Sequence, residues 1–261
     1  MTTILIVEAN PQALIERGYY AYASVFCSAL HGVDPGLTLI TAAPYDAPWD
    51  SDALDQADGV IFTGSGTEWS TDAPEAAPQR AAMEQVFASG KPTWGSCNGM
   101  QLAAVVLGGA VGASPNGVEV GLARDIRMTA EGRAHPMLAG RRDGYAVPCI
   151  HRDEVTRLPA GATLLAGNAH SPVQAMAYDQ GEVDFWGAQY HPEVRPAQIA
   201  HILHEKSENP ELAALLDKAE SDEAVASTLG SHVAEQTAPG RTVELSNWLA
   251  HVAAKGQAIF A

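Results

Sequence analysis

The sequence predicts an α/β protein in which helices cover both faces of a mixed, mostly parallel sheet. Short, uninterrupted apolar runs are typical of strands buried on both faces. Helical segments separate these runs at the spacing of βαβ units. After residue 109 several short strand patterns follow one another with turn residues between them, and from Pro196 onward the chain becomes helical. Together these observations favour a flavodoxin-like three-layer sandwich with a helical appendage at its C-terminal end.

The first half of the chain supplies the predicted parallel strands. They are placed at residues 3–7, 37–42, 59–63 and 91–95. Helices are predicted between them at residues 11–30, 78–89 and 98–107. In the second of these helices Met83, Val86 and Phe87 share one face, and Gly90 provides the C-terminal cap.

The second half of the chain is predicted to add the antiparallel part of the sheet and then helices. Strands are expected at residues 117–128, 146–155, 162–166, 173–178 and 184–190. Helical spacing follows at residues 211–218 and 243–252. We therefore divide the chain into a domain of residues 1–195 and a helical extension of residues 196–261 that packs on the core or on a partner.

The charge of the chain argues against two classes of partner. Fifteen Lys and Arg residues stand against 31 Asp and Glu residues, which gives a formal net charge of −16. Binding to nucleic acid or to an anionic membrane depends on cationic side chains. We expect neither nucleic acid nor a membrane as a partner.

The N-terminus and the cysteines favour a cytoplasmic location. The first residues lack the basic and long apolar regions of a signal peptide. No apolar run reaches the roughly 18 residues of a spanning helix. The three cysteines are too few and too widely spaced for a disulfide framework.

The strongest chemical signal is the segment Pro-Thr-Trp-Gly-Ser-Cys-Asn-Gly-Met-Gln at residues 92–101. A predicted strand ends at Gly95 and a helix begins directly after Cys97, which is the arrangement of a nucleophile elbow with cysteine in place of serine. The helix N-terminus favours a thiolate at Cys97. The backbone N–H of Asn98 is free to stabilise an oxyanion. The alternative is a buried structural cysteine at the end of a strand.

A second segment supplies the base that a cysteine nucleophile needs. His191 lies at the end of a predicted strand and is followed by Pro192 and Glu193. The proline stiffens the backbone, so that the carboxylate can orient the imidazole. Alone, the tripeptide is also consistent with a surface turn that carries a salt bridge. Combined with the cysteine elbow, it predicts a Cys97–His191–Glu193 triad.

These two motifs resemble those of the class I, or triad, glutamine amidotransferases. The chain is most similar to the glutaminase domain of GMP synthase and its stand-alone relatives, over roughly residues 2–195. The resemblance is carried by Gly-Ser-Cys-Asn-Gly-Met-Gln at 95–101, Gln-Tyr-His-Pro-Glu at 189–193, and weaker matches at 118–121, 135–138, 151–155 and 168–172.

The resemblance implies a role for each matched residue. Cys97 attacks the side-chain amide carbon of glutamine, and a thioester forms with loss of ammonia. His191 protonates the leaving ammonia and later activates water, while Glu193 orients it. The residues implied in substrate binding are Gln101, Glu119, Val120, His170 and Ser171.

The resemblance also locates the oxyanion hole. Its donors are the backbone N–H groups of Asn98 and, in the loop after the third strand, Ser65. The family usually has Gly-Gly-Pro in this loop, whereas the chain has Gly64-Ser65-Gly66. Without proline the backbone has more freedom, which predicts a looser hole that a partner or the substrate must order.

Other features give weaker signals and lead us to expect no cofactor and no metal. The glycines of the same loop lack the remainder of a phosphate-binding motif. His201 and His204 lie one helical turn apart, but nothing near them in the sequence offers a third ligand. Cys27 and Cys149 are predicted to be core residues, and Asp50 a helix cap or solvated side chain.

The favoured function is hydrolysis of the glutamine side-chain amide, with ammonia passed to a separate synthetase. No Gly-rich phosphate loop follows Glu193, so the chain is expected to be one component of a complex or an enzyme that acts alone. A stand-alone γ-glutamyl amide or peptide hydrolase with the same triad is the first alternative. A non-catalytic binding module is the second. A homo-oligomer is left open.

Overall fold

The structure is a computed structural model and describes residues 2–259. Its strands are β1 (Thr3–Val7), β2 (Thr38–Ala42), β3 (Gly59–Phe62), β4 (Thr93–Ser96), β5 (Ala110–Ala113), β6 (Glu119–Met128), β7 (Tyr145–His151), β8 (Asp153–Arg157), β9 (Thr163–Gly167), β10 (Ala175–Gln180) and β11 (Val183–Ala188). Its helices are α1 (Gln12–Ile15), α2 (Tyr22–Val33), α3 (Ser51–Gln56), α4 (Ala77–Ala88), α5 (Asn98–Val106), α6 (Ala130–Ala134), α7 (Pro196–Glu205), α8 (Pro210–Leu216), α9 (Glu223–Thr228), α10 (Val233–Gln236) and α11 (Val243–Ile259).

Nine strands form one sheet in the order β2-β1-β3-β4-β11-β10-β9-β6-β7. The first five are parallel to one another. The remaining four continue the sheet in antiparallel fashion. The predicted flavodoxin-like α/β fold, with a mixed sheet and a parallel core, is therefore confirmed. The strands β5 and β8 form a separate antiparallel pair.

The uninterrupted apolar runs arise because both faces of the parallel strands are covered. Along β1, Ile4 and Ile6 join one buried cluster, and Leu5 and Val7 join the cluster on the opposite face. Helices α2 and α11 contribute to the first cluster, and α4 and α5 to the second. Because neither face of β1 or β3 meets water, the alternation of polar and apolar residues that marks a half-exposed strand is missing there, whereas the edge strand β2 is partly exposed.

The helix predicted at residues 11–30 is divided into α1 and α2. Gly18 has φ +94°, a left-handed conformation through which an α-helix does not continue. Residues Tyr19 and Tyr20 therefore leave the helical path in the connection to α2.

The strand predicted at residues 146–155 is likewise divided. The main sheet keeps β7, whereas β8 begins at Asp153 and pairs with β5. Neither β5 nor α3 was predicted. Asp50 caps α3 by accepting a hydrogen bond from the backbone N–H of Ala53 over 3.0 Å, as its predicted role as a cap requires.

Residues 196–259 form five helices against the rest of the molecule. The last, α11, places Leu245, Trp248 and Val252 in the same buried cluster as Ile4 and Ile61. The division of the chain at residues 195 and 196 stays a prediction. Across residues 2–259 none of the helices combines the length and the apolar character needed to cross a bilayer.

Candidate active site

The turn between β4 and α5 has the sharp geometry of a nucleophile elbow. Cys97 sits on it with φ 49°, a value that non-glycine residues rarely adopt. A Cβ atom on Gly95 would lie 2.7 Å from the backbone of Gly99, and one on Gly99 would collide with the carbonyl of Phe62. Both glycines are required because the turn packs directly against the neighbouring backbone.

The second motif brings a histidine and a carboxylate together beside this turn. The Nδ1 atom of His191 lies 2.7 Å from Oε1 of Glu193, and both side chains are almost completely buried. The hydroxyl of Ser96, directly before the cysteine, lies 3.0 Å from each oxygen of the same carboxylate. Sequence reasoning missed this role of Ser96, although the residue lies inside the elbow motif.

The electrostatics of His191 favour its protonated form. Burial by itself lowers the pKa of the imidazole, but the charge of Glu193 and a hydrogen bond with Cys97 outweigh it and raise the pKa to about 10. A protonated imidazole next to a cysteine stabilises the thiolate. The arrangement therefore suits a thiolate–imidazolium pair.

Two further residues fix the plane of the imidazole. The ring of Tyr22, at the start of α2, stacks on it with 5.8 Å between centroids and 14° between planes. On Gly64, a Cβ atom would lie 2.6 Å from Cε1 of His191. The glycine of the loop after β3 thus makes room for the ring, a function that the sequence did not indicate.

The predicted oxyanion donors lie close to the cysteine, and the loop that carries one of them is fastened. Both Ser65 and Asn98 line the same cavity as Cys97. Among the described residues, no hydrogen-bond acceptor pairs with either backbone N–H. The Ser65 hydroxyl lies 2.9 Å from the carbonyl of Ala9, and the N–H of Gly66 donates to Oδ1 of Asn10 over 2.8 Å. These contacts, which come from the end of β1, correct the expectation of a loose loop.

A cavity of about 700 Å³ opens over Cys97. Of the five residues predicted to bind substrate, Gln101 and Val120 line it. The rest of its wall comes largely from three segments, at residues 17–22, 65–69 and 201–208, together with Arg152 and Asp153.

Glu119, His170 and Ser171 are not among the residues of the cavity wall, and their polar atoms are engaged within the protein. An oxygen of Glu119 lies 2.8 Å from Nε2 of His151. The imidazole of His170 lies 3.2 Å from the carbonyl of Gly117. The hydroxyl of Ser171 bonds to the buried carboxylate of Glu154. The structure therefore does not place these three residues beside Cys97 in the cavity wall, and their contact with substrate stays a prediction.

A chain of side-chain amides also reaches the cysteine. Gln101 donates from Nε2 to the carbonyl of Asp153 over 2.7 Å and to Oε1 of Gln189 over 3.1 Å. In turn, Nε2 of Gln189 lies 3.3 Å from Sγ of Cys97. Gln189 belongs to the second motif but was given no role from the sequence, and its signal was its place two residues before His191.

The remaining cysteines and histidines do not form a second centre. Cys149 is fully buried, and burial raises the pKa of its thiol well above the ordinary value, as expected of an inert core residue. The Nε2 atom of His204 lies 3.1 Å from Asp217. Within residues 2–259, no group of three or more His, Cys, Asp or Glu side chains is arranged to hold a metal ion.

Comparison with known proteins identifies the family. The family model described as "Glutamine amidotransferase class-I" matches residues 21–207. The chain belongs to this family. The matched region contains the elbow, the loop at Gly64–Gly66 and the His191–Glu193 segment, so the expected class of enzyme is confirmed.

Two relatives carry different activities in their names. The chain is 35% identical over 216 residues to a γ-glutamyl-L-1-hydroxyisopropylamide hydrolase of Pseudomonas sp., covering 78% of this chain and 72% of the relative. It is 34% identical over 161 residues to the glutamine-hydrolyzing GMP synthase of Thermomicrobium roseum, covering 61% of this chain. That alignment spans only 28% of the GMP synthase.

Solved structures share the fold of this chain. A glutamine amidotransferase from Thermotoga maritima superposes with a TM-score of 0.63 at 16% identity, covering 96% of this chain and 97% of the other. A glutamine amidotransferase from Methylobacillus flagellatus gives a TM-score of 0.62 at 19% identity, covering 98% and 94%.

Proposed function

We propose that the protein hydrolyses the γ-amide bond of γ-glutamyl compounds through a cysteinyl thioester. Cys97 is the nucleophile, His191 the acid and base, and Glu193 the group that orients the imidazole. The observation that carries the proposal is the buried Glu193–His191 pair, whose imidazole pKa is raised in part by Cys97, together with the place of Cys97 in the wall of a large cavity.

The thiolate of Cys97 attacks the amide carbon and forms a C–S bond, and the carbonyl oxygen becomes an oxyanion. The N–H groups of Ser65 and Asn98 stabilise this oxyanion. When the C–N bond breaks, His191 gives its proton to the departing amine or ammonia. It then takes a proton from water, whose oxygen attacks the thioester to release glutamate and restore the thiolate.

The size of the cavity favours a substituted amide over glutamine itself. A volume of about 700 Å³ falls within the roughly 300–1,000 Å³ of pockets that hold drug-sized ligands, and glutamine is much smaller than these. The relative that aligns over 72% of its own length is named for a substituted γ-glutamyl amide. We therefore place the substituent of the amine in the part of the cavity beyond the triad.

The second candidate is a glutaminase that passes ammonia to a separate synthetase. It is favoured by the likeness to GMP synthases, which extends over 28% of their length and so leaves their other parts unmatched. The cytoplasmic location, the absence of a cofactor and the oligomeric state stay predictions under either candidate.

The test compares the two substrates directly. We expect kcat/KM for a γ-glutamyl isopropylamide to exceed that for glutamine at least tenfold, and Cys97→Ala to abolish both activities. A glutamine-derived diazo-ketone should label Cys97 in preference to Cys27 and Cys149, as peptide mapping would show.

Three other results would contradict the proposal in different ways. A preference for glutamine that rises when cell extract is added would favour the ammonia-donating glutaminase. Activity on neither substrate, with or without extract, would favour the binding module. Equal labelling of all three cysteines would remove the assignment of Cys97 as nucleophile.

A further inference from the structure

Two buried charged side chains near the start of α11 contact the residues on either side of His191. Nη1 of Arg241 donates to the carbonyl of Pro192 over 2.7 Å. On the other side, the Tyr190 hydroxyl donates to Oε1 of Glu244 over 2.8 Å. Both charged residues lie beyond residue 207, where the match to the family model ends. The C-terminal helices thus reach the backbone that carries the candidate base.

A buried ion pair fixes the position of this contact. Arg141 binds both oxygens of Glu244, over 2.8 Å from Nε and 2.7 Å from Nη2. Its remaining hydrogen bonds go to the carbonyls of Gly240 over 2.7 Å and Arg241 over 2.9 Å. The exposed fractions of the two paired side chains are 3% and 0%. A buried pair that is satisfied in this way holds one geometry, since any displacement leaves a charge without a partner.

Tyr190 and Arg241 are themselves buried. The hydroxyls of Tyr190 and Tyr145 lie 2.8 Å apart, which ties Tyr190 to β7. Arg241 is 5% exposed, donates from Nε to the carbonyl of Gln236 over 3.3 Å, and lines a second cavity together with Glu193. The backbone N–H of His191 donates to the carbonyl of Pro148 over 2.8 Å. Each of residues 190–192 is therefore held from outside the segment, Tyr190 through its side chain and His191 and Pro192 through their backbone.

We propose that Arg241 and Glu244 are positioning residues, which hold the His191–Pro192–Glu193 segment so that the imidazole reaches both Glu193 and Cys97. This inference rests on the proposed roles of Cys97 and His191, though not on the identity of the substrate. Loss of the Arg241–Pro192 contact lets the segment move, and a displacement of about 1 Å in an active site costs roughly a hundredfold in rate.

The test replaces the donor and keeps the bulk of the side chain. Arg241→Met should lower kcat about tenfold to a hundredfold and leave KM within about threefold, because substrate contacts are unchanged. Tyr190→Phe removes the hydroxyl that meets Glu244 and should act in the same direction. The matched control is Arg142→Met. Arg142 is exposed and pairs with Glu235, which lies on the C-terminal helix α10, and its replacement should change neither kcat nor KM.

A second measurement separates positioning from simple loss of stability. The rate at which iodoacetamide alkylates Cys97 reports its thiolate without any substrate. The titratable groups around His191 are Cys97 and Glu193, with Tyr22 on α2 and, behind Tyr22, Glu8, and the charge of Arg241 acts on Glu193. Tyr190→Phe keeps that charge, so a shift in this variant reports position alone. When Glu193 is displaced, the imidazolium is less stabilised and supports the thiolate less well. We therefore expect the midpoint of the alkylation profile to move to higher pH in Arg241→Met and Tyr190→Phe.

Each outcome of these measurements supports or overturns the positioning role of Arg241 and Glu244. An unchanged kcat and an unchanged alkylation profile in folded Arg241→Met would overturn the inference. A lower kcat and melting temperature with an unchanged profile would show a merely structural contact and overturn it as well. If Arg241→Met does not fold, Arg241→Lys and Tyr190→Phe carry the same measurement. Wild-type protein in which Cys97 shows no selective alkylation would instead refute the proposed function.

Discussion

The orientation of His191 is determined by what surrounds it more than by its own backbone. Glu193 binds one nitrogen, Tyr22 covers one face of the ring, and Gly64 leaves a space that a side chain would fill. In a low-dielectric, water-excluded site, groups that are already in place need no reorganisation during the reaction. The missing side chain of Gly64 is thus part of what positions the base.

Gly64→Ala should disable the base with little effect on folding. The added Cβ would lie 2.6 Å from Cε1 of His191, so the ring must turn away from Cys97. We expect kcat to fall about a hundredfold, the order that a misplacement of about 1 Å costs, while circular dichroism is unchanged. Gly32→Ala, where a Cβ meets nothing within 4 Å, is the control. Full activity in Gly64→Ala would mean that the ring has room to move.

The raised pKa of His191 also predicts how stability depends on pH. In the folded protein this pKa is about 10, whereas an unfolded histidine titrates near about 6.5. A pKa that is higher in the folded state gives stability that is complete below about 6.5 and is lost as pH rises toward about 10.

His191→Gln lacks this contribution. We expect the difference in unfolding free energy between wild type and His191→Gln, measured with urea, to shrink as pH rises from about 6.5 to about 10. His204→Gln, which removes an exposed partner of Asp217, serves as the control and should differ little from wild type throughout. A difference that stays constant across the range would show that His191 is neutral in the fold.

At the scale of elements, the loop after β3 depends on its neighbour, the end of β1. Asn10 is 1% exposed and accepts from the N–H of Gly66, and its Nδ2 donates to the carbonyl of Tyr20 over 2.8 Å. One side chain therefore joins the loop that carries a proposed oxyanion donor to the connection between α1 and α2. Proline, which the family usually has in this loop, is replaced by hydrogen bonds from another element.

Asn10→Ala should misalign the Ser65 amide. Loss of one oxyanion donor costs roughly 10²–10³ in rate, so a partial misalignment should lower kcat about tenfold or more and affect KM less. Asn116→Ala is a suitable control, because Asn116 also joins two loops, through the carbonyl of His170, but lies outside the cavity wall. If kcat were unchanged in Asn10→Ala, the loop would hold its shape without this bridge.

The sequence predicted those parts of the site that depend on neighbouring residues. The elbow could be recognised because Gly95, Cys97 and Gly99 lie within one turn, and the pairing of His191 with Glu193 needs only the proline between them. The break at Gly18 could not be recognised, since glycine within a helical pattern is often tolerated. The engagement of Glu119 by His151, 32 residues away, is a tertiary contact that no local pattern indicates.

At the scale of the whole molecule, the last helix completes a core that the sheet leaves open. Leu245, Trp248 and Val252 of α11 pack against the face that carries Ile4 and Ile61. The approach is close at β3, where a Cβ on Gly59 would lie 2.9 Å from a methyl group of Val252. The C-terminal helices therefore stabilise the strands on which the site is built.

Trp248→Ala should destabilise the whole chain and not just its end. The side chain is fully buried, and a Trp-to-Ala change in a core costs about 3–5 kcal/mol. We expect a single unfolding transition in urea at a lower midpoint. Lys255→Ala on the same helix removes a half-exposed amine from Asp184, whose carboxylate keeps its contact with His251, and should cost under about 1 kcal/mol. A separate early transition in Trp248→Ala would indicate that α11 unfolds independently.

Much of the cavity wall and the triad lie on different segments of the chain, so the choice of leaving group can be altered separately from bond cleavage. Residues within 17–20, 66–69 and 201–208 line the cavity, and none of these segments carries Cys97, His191 or Glu193. Loops on a rigid scaffold tolerate exchange better than the elements that they connect. New leaving groups can therefore be sought by exchanging Tyr19 and Trp69 in the two loops and Ile202 on α7, while Gly66, whose N–H fastens the loop of the proposed oxyanion donor, is kept. Cys97, His191 and Glu193 would be left unchanged, and the C-terminal helices would still contact the segment that carries His191.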